Sequence, residues 1–126
     1  MGAKRPRPVV LDAGGLIAVD RADRRVVRLL ELADEVPVPA AALAPAWRNL
    51  ARQVRLVRVA SADGVVTHPL DTATAQAAGQ LCAATATSDV VDASVVLVAR
   101  VLDGVTVTID PDDLHRLDPG IDLVVC

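Results

Sequence analysis

Aspartate is the residue type with which this sequence could do chemistry. Fourteen of its sixteen acids are aspartates, and only Glu31 and Glu35 are glutamates. Asp12 and Asp110 close the runs PVVLD and VTVTID, which read as short buried strands, so each stands at a strand's carboxyl end. In a parallel sheet those ends share one edge, where open α/β folds keep their sites. Asp89 and Asp92 stand three residues apart at the start of the helical run VVDASVVLVARVLD and therefore face the same side. If that helix start abuts the same edge, carboxylates converge there, repel, and shift one another's pKa unless a cation lies among them. Oxygen-only ligation suits Mg2+ or Mn2+ rather than zinc. Each acid also has a plainer role: TSD (87–89) is a capping sequence, and Asp112 and Asp113 fit the first turn of a helix after Pro111.

Other chemistries lack their parts. The one lysine, Lys4, lies at the N-terminus, which removes a P-loop, a Schiff base and a receiver-type lysine. His68 and His115 are the only histidines and have no nucleophile beside them, and Cys82 in GQLCAA reads as a small buried residue. DAGGL lacks the GxGxxG spacing of a dinucleotide fold, and Gly14 stands where a haloacid-dehalogenase-like site would need a second acid. With one Trp and no Phe or Tyr, no platform exists for stacking bases. A net charge of −3 gives no global attraction to nucleic acid or anionic membrane. Cys82 and Cys126 form neither a metal spacing nor a disulfide framework, and no run is long and apolar enough for a signal core or a span. These features predict a cytoplasmic protein with no membrane partner.

The elements that must position the acids follow from periodicity. Apolar residues make up 52% of 126 residues, enough for the core of one domain. Residues 1–7 (MGAKRPR) read as a flexible basic arm and 8–126 as a single domain. After the first strand, Gly14–Gly15 precede a helical stretch starting at LIAV, and Arg21–Asp34 has helical spacing. VPV (36–38) is a strand flawed by its prolines, and 40–58 is mostly helical, with Pro45 either kinking one helix or opening a second. VVTHPL (65–70) is a third strand, 71–86 an Ala-rich helix, 111–117 a helical turn, and IDLVVC (121–126) the last strand. Strands alternating with helices predict a three-layer α/β/α domain around a central, mainly parallel sheet.

Four segments, VVLDAGGLIAV, AALAPAWR, SDVVDASVVLVAR and TVTIDPDDLHRL, occur in this order from Val9 to about Leu117. Together they resemble the successive motifs of PIN-domain ribonucleases, above all the VapC-type toxins of bacterial toxin–antitoxin pairs. The resemblance implies a PIN-like domain that binds Mg2+ or Mn2+ in an acidic pocket and hydrolyses RNA phosphodiesters. Carried over residue by residue, Asp12, Asp92 and Asp110 are the catalytic, metal-binding acids, Asp89 a further ligand, and Asp113 a secondary one. It also implies a VapB-like antitoxin as partner and pairing as a homodimer, for which the Ala-rich segment 71–86 and the apolar residues of helix 22–33 are the candidate surfaces. One departure matters: the family pattern has an acid within the stretch written here AALAPAWR, and Pro45 stands at that point. A PIN-like module that has lost catalysis and acts by binding protein or RNA is the alternative.

The run RNLARQVRLVR (48–58) adds a basic stripe. Arg48, Arg52, Arg55 and Arg58 spread over roughly one third of a helix circumference, with Leu50, Val54 and Val57 opposite and no acid in the run. These arginines are the candidate contacts for RNA phosphates or for an acidic antitoxin segment.

Overall fold

The structure is a computed structural model that describes residues 6–126. Its elements are β1 (Val9–Leu11), α1 (Ala13–Asp20), α2 (Arg24–Leu32), β2 (Val36–Pro39), α3 (Ala40–Trp47), α4 (Leu50–Ala60), β3 (Val65–His68), α5 (Thr72–Thr85), α6 (Val90–Leu102), β4 (Val105–Thr108), α7 (Pro111–Leu117) and β5 (Leu123–Val125). All strand pairing is parallel, as an α/β domain with helical crossovers requires.

The strands form two ladders, β1–β4–β5 and β2–β3, in place of one continuous sheet. They meet where the Val9 N–H donates to Glu35 O at 3.1 Å. The seam has a cause in sequence. Val36 N–H donates to Gly64 O on the β3 side, so by the alternation of a strand Pro37 and Pro39 turn their nitrogens toward β1. Proline has no N–H to donate, and the ladder between β1 and β2 loses those bonds.

The alternation of β1 also makes the layers. Val10 faces one apolar cluster with Ala78 and Cys82 of α5, Ala93, Val95, Val96 and Ala99 of α6, and Leu114 and Leu117 of α7. Val9 and Leu11 face the other, with Leu16 of α1, Val26 of α2, Ala46 of α3 and Leu56 of α4. The side chains filling both are small and aliphatic, and Trp47 packs only at the margin of the second.

Several local expectations are corrected. Of the basic arm, residues 1–5 lie outside the described residues, while Arg7 is tied down: its guanidinium donates to Asp103 O at 3.0 Å and to Asp122 Oδ2 at 2.7 Å. Gly14 and Gly15 do not precede the first helix but lie in its first turn. Pro45 does not open α4; it sits inside α3 near its end, and the break falls at Asn49, whose side chain accepts the Ala51 N–H at 3.0 Å. The fourth strand ends at Thr108, so Asp110 lies two residues past it, at the residue preceding α7. Among the described residues no single helix is long and apolar enough to cross a membrane.

Candidate metal centre

Asp12 follows the last residue of β1 and is the N-cap of α1. Its Oδ1 accepts the Gly15 N–H at 2.7 Å, and the carboxylate is buried. Gly14 and Gly15 are required because the start of α1 packs directly on the end of β4. A Cβ at Gly14 would stand 2.6 Å from Ile109 Cγ1, and one at Gly15 would stand 2.8 Å from Val107 O. Burial pushes the Asp12 carboxyl up, and the Asp110 carboxylate adds to this, while hydrogen bonds from the Thr108 side chain and the Gly15 N–H oppose it.

β1 pairs with β4 in register Leu11↔Val107, so the chain beyond each strand emerges at the same edge. Thr108 ends β4 there, fully buried, and its Oγ1 accepts the Asp110 N–H at 3.0 Å. This hydroxyl therefore holds the backbone of one strand-end acid, and it also helps to offset the raised pKa of the other. Asp110 itself is exposed, and its side chain makes no capping bond to α7. Sequence reasoning missed Thr108; the signal available was a hydroxyl two residues before the acid.

The third acid arrives on α6. Asp89 caps that helix, its Oδ1 accepting the Asp92 N–H at 3.0 Å, so capping and clustering are two functions of one carboxylate. Asp92, in the first turn, has its carboxyl pushed up to about 7, first by burial and then by the negative charges of Asp89, Asp12 and Asp113. Asp89, Asp92 and Asp113 wall a cleft of about 660 Å3 together with Thr87, Ser88 and Arg116. No described arginine, lysine or histidine forms an ion pair with Asp12, Asp89, Asp92 or Asp110; Asp113 has Arg116 at 3.8 Å. The sheet edge thus collects Asp12, Asp92 and Asp110, with Asp89 and Asp113 beside Asp92, and leaves their charge largely uncompensated.

Among the described residues no three His, Cys, Asp or Glu side chains stand close enough together to hold a metal ion between them. The donor set nevertheless fits Mg2+ or Mn2+. It is all carboxylate, it is short of positive charge, and Mg2+ keeps several waters while taking only one or two protein carboxylates.

The basic stripe of α4 is corrected in two respects. Arg48 lies outside the helix, capping the end of α3. Arg52 and Arg55 are not unbalanced: the Asp20 carboxylate at the end of α1 bridges them, with Arg52 Nε at 3.4 Å and Arg55 donating directly. The two guanidiniums, Arg55 first, hold the Asp20 carboxyl below its ordinary value. Arg58 remains exposed in the last turn. Because α4 turns Arg52 toward α1 and buries Leu56, the supposed inner face of Leu50, Val54 and Val57 is in fact exposed.

No protein-family model matches the sequence, and no curated protein matches it. Solved structures do match in fold. VapBC2 from Rickettsia felis, bound to a DNA fragment from its promoter, aligns with TM-score 0.72 and 14% identity over 94% of this chain and 98% of that one. VapC20 of Mycobacterium tuberculosis, a toxin that cleaves the sarcin–ricin loop, aligns with TM-score 0.73 and 17% identity over 94% and 99%. FitAcB from Neisseria gonorrhoeae aligns with TM-score 0.62 and 16% identity over 91% and 95%. The chain has the α/β PIN-domain fold of the VapC-type toxins.

Proposed function

We propose that this protein is a metal-dependent endoribonuclease of the VapC kind. The observation that carries the reading is the gathering at one sheet edge of Asp12, Asp92 and Asp110, none of which is paired with a described cation. Asp12 is buried there beside the Asp110 carboxylate, and Asp92 faces three other acids. Asp12, Asp92 and Asp110 would hold Mg2+ or Mn2+, with Asp89 and Asp113 as further ligands. When bound, such an ion supplies a nucleophilic water at neutral pH and offsets charge building on the phosphate.

The chain's own groups prepare that chemistry. The Gly15 N–H and the Thr108 hydroxyl fix the Asp12 carboxylate in one orientation. Thr108 also holds the backbone of Asp110. Asp89 fixes the first turn of α6 and with it the position of Asp92. The cleft beside them has a volume of about 660 Å3.

We further propose a cytoplasmic toxin that pairs as a homodimer and is held by a VapB-like antitoxin. The exposed small residues of α5, Ala75, Gly79 and Ala83, and the exposed Leu32 of α2 suit a self-complementary contact. A catalytically silent binding module is the second reading, favoured by Pro45 at the position of the missing acid and by the absence of a closed three-ligand cage among the described residues.

The experiment is cleavage of single-stranded RNA by the purified, antitoxin-free protein. Activity with Mn2+ that disappears in EDTA and in Asp92→Asn is the expected result. Cleavage that persists in EDTA contradicts the mechanism, and a well-folded protein with no cleavage at any Mn2+ concentration favours the binding module.

A further inference from the structure

Arg116, on the last turn of α7, is the one cation among the residues lining the acidic cleft. It follows Asp113 by three residues, yet its Nη1 stands 3.8 Å from Asp113 Oδ1, too far for a hydrogen bond. The side chain is 72% exposed, and the guanidinium donates to no described residue. A rigid fork of N–H donors is therefore free inside a concave site.

The cavity's chemistry gives this arginine a task. Asp89, Asp92 and Asp113 would repel a phosphodiester entering the cleft, and a bound divalent ion offsets that charge only where it sits. Of the four arginines that the sequence offers to phosphate, Arg52 and Arg55 are engaged by Asp20 on α1, and none of the four lines this cleft. Guanidinium matches the paired oxygens of a phosphate better than any other side chain does. Resting on the ribonuclease reading above, we propose that Arg116 is a substrate-binding residue that takes one backbone phosphate of the RNA strand lying in the cleft.

The test measures binding apart from cleavage. A short fluorescein-labelled single-stranded RNA is titrated with Asp92→Asn protein in Mg2+, followed by anisotropy over a series of salt concentrations. Adding Arg116→Ala is expected to weaken binding about tenfold, the scale of one hydrogen-bonded charge. It should also flatten the slope of log K against log salt by about 0.7, the loss of one phosphate contact on a single strand. Arg116→Lys should keep the slope and recover part of the affinity. Circular dichroism melts check that each variant is folded, and Arg116→Gln repeats the test with the side chain's length kept. Unchanged affinity and slope in Arg116→Ala and Arg116→Gln would overturn this proposal while leaving the ribonuclease reading standing. Equal weakening in Ala and Lys variants with no change of slope would overturn it as well, since that is not a charge effect. If the Asp92→Asn protein and its Arg116 variants all fail to bind RNA, the ribonuclease reading itself falls.

Discussion

Removing one charge from the acid cluster should make the metal-free protein more stable. The Asp92 carboxyl is raised from 3.8 to about 7 in the folded chain. Each unit is worth about 1.4 kcal/mol between the two protonation states, so the ionised carboxylate costs the fold at most about 4 kcal/mol. Asp92 is only half-buried, and solvent screening reduces this to about 1–2 kcal/mol. Asp92→Asn keeps the shape and deletes the charge, so in EDTA at pH 8 its melting temperature should exceed that of the wild type by about 3–8 °C. The sign with pH is fixed. Below about pH 4 Asp92 is protonated both folded and unfolded, and the two proteins should differ little. The gap opens as pH rises through the interval from 4 to 7 and is complete above it. Mn2+ should then reverse the order, stabilising the wild type and leaving the variant where it was. Circular dichroism melts at pH 5 and pH 8, with EDTA and with Mn2+, give all four comparisons. An Asp92→Asn protein that melts at or below the wild type at pH 8 in EDTA would refute the reasoning, because no repulsion would then exist for a metal to relieve.

Gly15→Ala should lose about 1–3 kcal/mol in urea unfolding, because its Cβ meets the backbone oxygen of Val107 at 2.8 Å. Gly79→Ala, with nothing within 4 Å of the added atom, should gain about 0.5–1 kcal/mol as a helix-interior replacement, and the same measurement compares the two. Asp20→Ala should cost about 1 kcal/mol near neutral pH by leaving Arg52 and Arg55 facing each other. Because the Asp20 carboxyl is held low in the folded state, that contribution is present above about pH 4 and lost as the pH falls through its folded value, so urea midpoints of the two proteins should converge in acid. Pro45→Glu, at an exposed position of α3, should raise Mn2+-dependent RNA cleavage roughly tenfold by restoring an acid, and an unchanged rate would place the missing acid's role elsewhere.

What the sequence made legible was whatever depends on the local chain. Asp12 and Asp110 were found because a buried aliphatic run ending in an acid marks a strand's end, and parallel pairing carries both ends to one edge. Asp89 and Asp92 were found because three residues on a helix share a side. The interruption between β1 and β2 could be anticipated from Pro37 and Pro39, but which neighbour would lose its bonds depends on the direction their nitrogens face. α4 was misread because periodicity separates two faces without saying which one the rest of the chain covers. Asp20, more than thirty residues earlier in the sequence, decides that by engaging Arg52 and Arg55. Thr108 and Arg116 were missed for the same reason. Neither belongs to a pattern, and each acquires its meaning from what the fold brings beside it, Asp12 in one case and the acidic cleft in the other.

The central claim is that the acids at the carboxyl edge of the sheet form one divalent-metal site, and Mn2+ binding measured by isothermal titration calorimetry tests it most directly. The wild type should bind a single Mn2+ with an affinity that falls at least tenfold in each of Asp12→Asn, Asp92→Asn and Asp110→Asn, while Asp122→Asn, at the far end of the sheet beside Arg7, leaves it unchanged. Absence of Mn2+ binding by the folded wild type at millimolar concentration, or binding indifferent to those three substitutions, would contradict it.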